Sequence, residues 1–191
     1  MHSLTEKFNE LRQHLKGGVS SMKQTGFDPV YYLVFPPQEI LAAKQMLPQI
    51  IAQLKLDGFQ PRVLSLTTML NQWFRSHKFR AECQEGLRDA DDPRHEFKEA
   101  FSTELEKERI VSEAILTELE SLRAQPGGLL IITDIEALHP LLHISGIEQQ
   151  LTGKFCVPTV VLYPGTRGGL HSLRFLGFNK ENANYRSIHI G

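Results

Sequence analysis

Residues 30–40, VYYLVFPPQEI, decide what kind of sheet this chain builds. Val30 to Phe35 is a short run of β-branched, aromatic and apolar residues, which is typical of a strand buried on both faces. Pro36 and Pro37 end the strand. Pro37 also suits the first turn of a helix, because its missing N–H would have no partner there. The stretch therefore predicts a buried strand that leads directly into a helix.

Three further apolar segments predict strands of the same sheet. They are 62–66 (RVLSL), 129–133 (LLIIT) and 158–163 (PTVVLY). Strands that alternate with helices indicate right-handed crossovers and a mainly parallel sheet. Two later segments alternate polar and apolar residues, and we expect them to pair as a C-terminal hairpin: 171–176 (HSLRFL) and 185–190 (YRSIHI).

Five segments carry the apolar spacing of amphipathic helices. They are 4–15, 38–56, 67–74, 93–123 and 138–151. Pro48 is expected to kink or split the second helix, and Asp92-Pro93 predicts the start of the fourth. Glu108 falls on the apolar face of that long fourth helix, where we expect the stripe to leave the core. The whole pattern predicts one three-layer α/β domain over residues 1–191, with residues 75–125 as a helical excursion.

The composition excludes several classes of protein. The 191 residues are 41% hydrophobic, enough to bury a core, and 21 basic residues balance 22 acidic ones. A general polyanion binder usually shows a basic excess, so only a local basic patch is compatible with this balance. Cys83 and Cys156 have no metal-binding spacing and are expected to be reduced thiols. Neither a signal peptide nor an apolar run of about 20 residues is found, which predicts a cytoplasmic protein that does not enter the membrane.

The segment 129–138, LLIITDIEAL, invites comparison with nucleotide hydrolases, in which an apolar strand delivers an aspartate to Mg²⁺. Such enzymes also need a GxxxxGK[ST] loop after an earlier strand. Here the loop is FPPQEI, without glycine, lysine or threonine, and its prolines lack the N–H groups that a phosphate nest requires. We therefore interpret Asp134 as a cap of the element after the strand. A weakly active, divergent ATPase-like domain that uses Asp134 is the alternative.

Other motifs predict no catalytic, cofactor-binding or metal-binding residue. His139 and His143 have helical spacing, but Pro140 lies between them and no third ligand is placed by the sequence. The glycine-rich loop 165–169 leads into a strand rather than a helix, so we interpret it as a turn and not as a phosphate site. Neither a GxSxG motif nor an informative Cys/His pair indicates a nucleophile. We expect no cofactor.

The C-terminal segment 160–190, VVLYPGTRGGLHSLRFLGFNKENANYRSIHI, is the most distinctive part of the chain. It resembles the small B component (BrxB) of BREX phage-defence systems, most specifically at 163–165 (YPG) and 184–186 (NYR). A looser resemblance in the order of elements covers the whole chain. The family often has a second aromatic residue before its tyrosine, whereas Ala183 and Asn184 precede Tyr185 here.

The resemblance implies a place in a multi-gene bacterial system that methylates host DNA and blocks phage propagation. Methylation, ATPase and phosphatase-like activities belong to separate subunits of that system. The B component is required for defence and has no assigned chemistry, so no catalytic residue carries over to this chain. Its implied role is to dock other BREX subunits, foremost the phosphatase-like one.

Our leading hypothesis is therefore a non-catalytic adaptor in an antiviral complex. Tyrosine and arginine are enriched at interface hot spots, and the candidate partner-facing residues are Tyr163, Arg167, Tyr185 and Arg186. Each has a structural alternative, since both tyrosines can be core residues and Arg186 can pair with an acid inside the domain. The oligomeric state stays open, a homodimer included.

A DNA-binding subunit of the same system is the third hypothesis. It would use the basic residues of the C-terminal segment, Arg167, Arg174, Lys180 and Arg186. This hypothesis requires an affinity for DNA that falls steeply with salt.

Overall fold

The computed structural model describes residues 2–17, 28–88, 90–168, 172–177 and 187–191. The strands are β1 (Val30–Phe35), β2 (Gln60–Ser65), β3 (Gly128–Thr133), β4 (Thr159–Arg167), β5 (Leu173–Phe175) and β6 (Ile188–Ile190). The α-helices are α1 (Leu4–Lys16), α2 (Ile40–Leu56), α3 (Leu66–Ser76), α4 (Phe79–Gly86), α5 (Pro93–Lys107), α6 (Ile110–Arg123) and α7 (Ile144–Gln150). Two short 3-10 helices follow β1 and β3, at Pro37–Glu39 and Ile135–Leu138.

Five strands form a parallel sheet in the order β2-β3-β4-β1-β6, which confirms the predicted α/β class. Every residue of β1 and of β3 is buried. β1 is buried on both faces because its alternate residues belong to two hydrophobic cores. Val30, Tyr32 and Val34 pack with α3, α6 and α7 on one face of the sheet. The alternate residues, Tyr31 among them, pack with α1 and α2 on the other face. Helices on both faces make the fold three-layered.

The last two strands do not pair with each other as a hairpin, contrary to the sequence prediction. β5 pairs antiparallel with β4. β6 pairs in parallel with β1, on the side of β1 away from β4. The reason is the length of β4, whose pairing with β1 ends at Pro164. Its remaining residues, 165–167, are free to pair with β5. Tyr185 and Arg186, predicted to begin the last strand, lie outside the described residues.

The predicted helix 93–123 is two helices. Asp92 caps α5 as predicted, since its carboxylate accepts from the N–H of His95, with Pro93 in the first turn. α5 ends at Lys107, and Arg109 adopts a left-handed conformation with φ of 53° before α6 begins. Glu108 is the residue that follows α5, so its place on the apolar stripe marks the break between the helices.

Of the two outcomes expected at Pro48, a kink or a split, the split does not occur, and the predicted helix 138–151 begins later than expected. α2 runs without a break through Pro48, held on the sheet by the buried Ala43 on one side of the proline and Ile50 on the other. The predicted helix 138–151 is shorter, because α7 begins only at Ile144 and a turn with a cis His139–Pro140 bond precedes it. His139 and His143 therefore do not share a helix face.

Both α3 and α6 pack on the sheet. α3, α4 and α5 also share an aromatic cluster, which borders the same core through Trp73 and Phe101. Its rings are those of Trp73, Phe74, Phe79, Phe97 and Phe101. Cys83 and Cys156 are both free thiols, as expected. None of the helices in the described ranges has the length and hydropathy needed to cross a bilayer.

Candidate functional site at the carboxyl edge of the sheet

The carboxyl ends of β1, β2, β3 and β4 meet at one edge of the sheet. The register places Phe35 beside Pro164 and Ser65 beside Thr133. In open α/β sheets this edge is where ligands usually bind. Any chemistry that the fold supports is therefore to be sought here first.

Asp134 is neutralised by a lysine of the same chain. The Nζ atom of Lys44 lies 2.6 Å from Oδ1 of Asp134 and 2.6 Å from Oε1 of Glu136. The hydroxyl of Thr133 donates to the other oxygen of Asp134 at 2.8 Å, and the Ser65 hydroxyl is also hydrogen-bonded to this carboxylate. The carboxylate of Asp134 is 14% exposed, and both of its oxygens interact with side chains of the same chain.

The pKa values of this pair follow from its surroundings. Burial alone would raise the pKa of Asp134, but the hydrogen bonds from Lys44, Ser65 and Thr133 outweigh burial and lower it. Burial alone would likewise lower the pKa of Lys44, but the carboxylates of Asp134 and Glu136 outweigh it and raise the value. The ion pair is therefore charged across the neutral range.

Asp134 is not the side-chain cap that the sequence predicts. It stands at the position before the 3-10 helix Ile135–Leu138, in a left-handed conformation with φ of 61°, but its side chain caps no N–H of that helix. The carboxylate binds Lys44 instead. A pairing between residues so far apart in the chain carries no local signal.

The turn after β1 leaves few amide groups for a ligand. Pro36 and Pro37 have no N–H. The N–H of Glu39 donates to the carbonyl of Pro36 at 2.8 Å, and that of Ile40 donates to the carbonyl of Pro37. Because these amides are used inside the turn, the segment does not form a phosphate nest.

The YPG segment of β4 is structural. Tyr163 is 1% exposed, and its ring packs edge-on against Tyr32 and Phe175, with centroids 5.5 and 5.4 Å apart. A Cβ on Gly165 would lie 2.4 Å from the carbonyl oxygen of Arg174, so only glycine lets β5 approach β4 here. Tyr163 is thus a core residue, which is the alternative that the sequence analysis left open for it, and it does not face a partner.

Among the other candidate partner-facing residues, Arg167 is exposed at the end of β4. Its Nη1 donates to the carbonyl of Gly191 at 3.2 Å. Arg174, on β5, is exposed as well. Tyr185, Arg186 and Lys180 lie outside the described residues.

Sequence reasoning missed a buried polar network beside β1. The hydroxyl of Tyr32 donates to Oε2 of Glu148 on α7 at 2.6 Å, and Ser187 is hydrogen-bonded to the same carboxyl group. Burial raises the pKa of Glu148 to about 7, and the nearby charge of Asp28 adds to the shift. A tyrosine inside a strand buried on both faces signals that its hydroxyl needs a partner, but it does not say which one.

A second group missed by the sequence lies between α3 and α5. Ligand atoms of His77, Glu104 and Glu108 lie within 4.8 Å of one another, a spacing that a metal ion could use. However, Nδ1 of His77 accepts from the N–H of Phe79 at 3.2 Å, so the neutral ring carries its proton on Nε2. Nε2 faces Glu108 at 3.3 Å. The geometry favours a hydrogen bond or ion pair, which joins the end of α3 to the end of α5.

The fold and this edge define a class of protein, a three-layer α/β chain with a parallel sheet. In it, Lys44 of the same chain binds Asp134, the aspartate that a nucleotide hydrolase would use to bind Mg²⁺. The family model for BREX protein BrxB matches residues 62–190, about two thirds of the chain. The chain belongs to this family and is a component of a BREX phage-defence system, which confirms the resemblance seen in its C-terminal segment. No curated protein and no solved structure matches the chain.

Proposed function

We propose that this chain is a non-catalytic adaptor that docks other subunits of its BREX system, foremost the phosphatase-like one. Membership of the family implies those subunits as partners. The observation that carries the non-catalytic part of the proposal is the Lys44–Asp134–Glu136 cluster at the carboxyl edge.

Nucleotide hydrolysis at this edge would require two rearrangements. Mg²⁺ would have to displace the Lys44 ammonium from Asp134, which leaves a half-exposed cation beside a metal ion. The phosphates would also need several N–H donors, of which the turn after β1 presents few. Separating a partly buried ion pair costs roughly 1–5 kcal/mol, depending on its exposure, and this cost opposes metal binding.

We place the docking surface on the hairpin of β4 and β5 and on the segment that follows it. β4 continues past the parallel ladder at residues 165–167, and Arg167 and Arg174 are exposed there. Exposed arginines are suitable interface anchors. Tyr185 and Arg186 remain predicted members of the surface, whereas Tyr163 supports it from the core.

Co-purification tests the adaptor role. The chain is co-expressed with each other BREX subunit of its own system in turn, and we expect a stable complex with at least one, foremost the phosphatase-like subunit. Arg167→Glu should weaken that complex, whereas Arg123→Glu, an exposed arginine at the end of α6, should not. A chain that elutes alone in every combination contradicts the proposal.

The proposed role also places the chain in the cytoplasm, where host DNA and the other subunits work. Fractionation of cells that carry an epitope-tagged chain tests this placement. Recovery in the periplasmic fraction would contradict it.

A further inference from the structure

A groove lies between α4 and α5. Its volume is about 510 Å³. The lining residues of α4 are Phe79, Glu82, Cys83 and Gly86, with Leu87 directly after the helix, and those of α5 are Glu96, Glu99, Ala100, Thr103 and Glu104. Both sets follow the same spacing of i, i+3, i+4, i+7 and i+8, which is one stripe along a helix. The groove is therefore a channel two turns long between two helical stripes.

The floor of the groove is apolar. Phe79 and Cys83 are buried beneath it, and burial raises the pKa of the Cys83 thiol, so this group is uncharged at neutral pH. Leu87 and Ala100 add apolar surface that a third helix would cover. An amphipathic helix laid in such a channel buries its apolar stripe against both walls.

The rim of the groove is acidic. Four of its lining residues are glutamates, and no lysine or arginine is among the described residues that line it. Glu82 and Glu99 are 61% and 69% exposed. Within the described ranges, the ion pairs found for them are with Lys78 at 3.7 Å and His95 at 3.6 Å, each four positions earlier in the chain. Such exposed pairs are worth less than about 1 kcal/mol, so both carboxylates are available to a partner.

We propose that this groove binds an amphipathic helix with a basic polar face, contributed by another BREX subunit. The two stripes select a helix, and the floor selects leucine-like side chains at i, i+3 and i+4. The exposed glutamates Glu82, Glu96 and Glu99 select lysine and arginine on either side. The proposal rests on the adaptor role, and it adds a second docking surface distinct from the β4–β5 hairpin.

A peptide experiment tests the groove without any BREX subunit. The probe is a fluorescein-labelled helical peptide three to four turns long, with leucine along one face and lysine on the rest, titrated with the full chain and followed by anisotropy. We expect Glu96→Lys/Glu99→Lys to weaken binding at least tenfold. The control Glu106→Lys/Glu120→Lys changes two exposed glutamates outside the groove and alters the net charge equally, so it should bind nearly as well as the unmodified chain.

Two further measurements separate the groove from general electrostatic attraction. Ala100→Phe fills the channel without a change of charge and should also weaken binding at least tenfold. The chain has a single tryptophan, Trp73, whose ring stacks on Phe79, so bound peptide should change its fluorescence. Equal binding by the groove variants and the control, or by a peptide with glutamate in place of lysine, overturns the proposal.

Repeating the co-purification with these variants distinguishes the two proposals. If the unmodified chain binds a subunit and the groove double variant loses it while the control keeps it, that subunit supplies the helix. If the groove variant keeps every subunit, the groove assignment fails while the adaptor role stands. If the unmodified chain binds no subunit, the adaptor role fails, and the peptide titration alone decides whether the groove binds a basic helix.

Discussion

Glu148→Gln isolates what one buried carboxyl group contributes to the pH dependence of stability. Glutamine has the same shape and keeps an oxygen that can accept from the Tyr32 hydroxyl, whose bond to Glu148 is 2.6 Å long. What the substitution removes is the ability to titrate. The difference between the two proteins therefore reports this group and cancels the other ionisable groups.

The magnitude follows from the raised pKa. Burial raises the pKa of Glu148 from 4.5 to about 7, so the folded chain holds this proton more tightly than the unfolded chain. The stabilisation is fully present below pH 4.5 and is lost as the pH rises to 7, at about 1.4 kcal/mol per pH unit. Over that window the natural chain should lose about 3 kcal/mol relative to Glu148→Gln.

Urea unfolding followed by circular dichroism provides the free energy of unfolding at each pH. We expect the curves of the two proteins to converge below pH 4.5 and to separate up to pH 7, with Glu148→Gln the more stable at neutral pH. Glu120→Gln, which removes an exposed carboxylate, should run parallel to the natural chain. Parallel curves for Glu148→Gln and the natural chain would refute the reasoning.

Three further predictions follow from the carboxyl edge and the hairpin. Lys44→Met should destabilise the fold by about 2 kcal/mol, and adding Asp134→Asn should restore part of that loss in a double-mutant cycle; additive losses would mean that the pair is not coupled. Gly165→Ala forces a Cβ towards the Arg174 carbonyl and should cost about 1–3 kcal/mol, with faster amide exchange in β4 and β5 than elsewhere; unchanged exchange there would contradict the close approach. Titration with Mg²⁺ and ATP at millimolar nucleotide should produce no binding heat, and a saturable heat lost in Asp134→Asn would establish the hydrolase alternative.

Several features could be predicted because their causes are local. The buried strand at 30–35 follows from a run of apolar residues ended by prolines, and the start of α5 follows from an aspartate cap before Pro93. The family followed from short motifs in the C-terminal segment, which the family match confirms. The structure adds a reason for one motif: Tyr163 fills the core, and Gly165 leaves room for the neighbouring strand.

The break between α5 and α6 could not be predicted, because the apolar spacing runs through it without interruption. The apolar spacing predicts which residues face the core, but it does not say whether they belong to one helix or to two. Tertiary packing decides the matter, and Arg109 adopts a left-handed conformation at the junction. The pairing of β5 with β4 could not be predicted either, because it depends on how far β4 extends beyond the end of β1.

By itself, the sequence determined the positions of the strands, the α/β class and the family, because each depends on residues that are neighbours in the chain. Only the tertiary structure decided which polar and charged groups meet, both inside the chain and on its surface. Glu136 meets Lys44 across 92 positions and Glu148 meets Tyr32 across 116, and the acidic groove takes its lining from both α4 and α5. Such encounters are set by the path of the chain through space, which no short pattern of residues records.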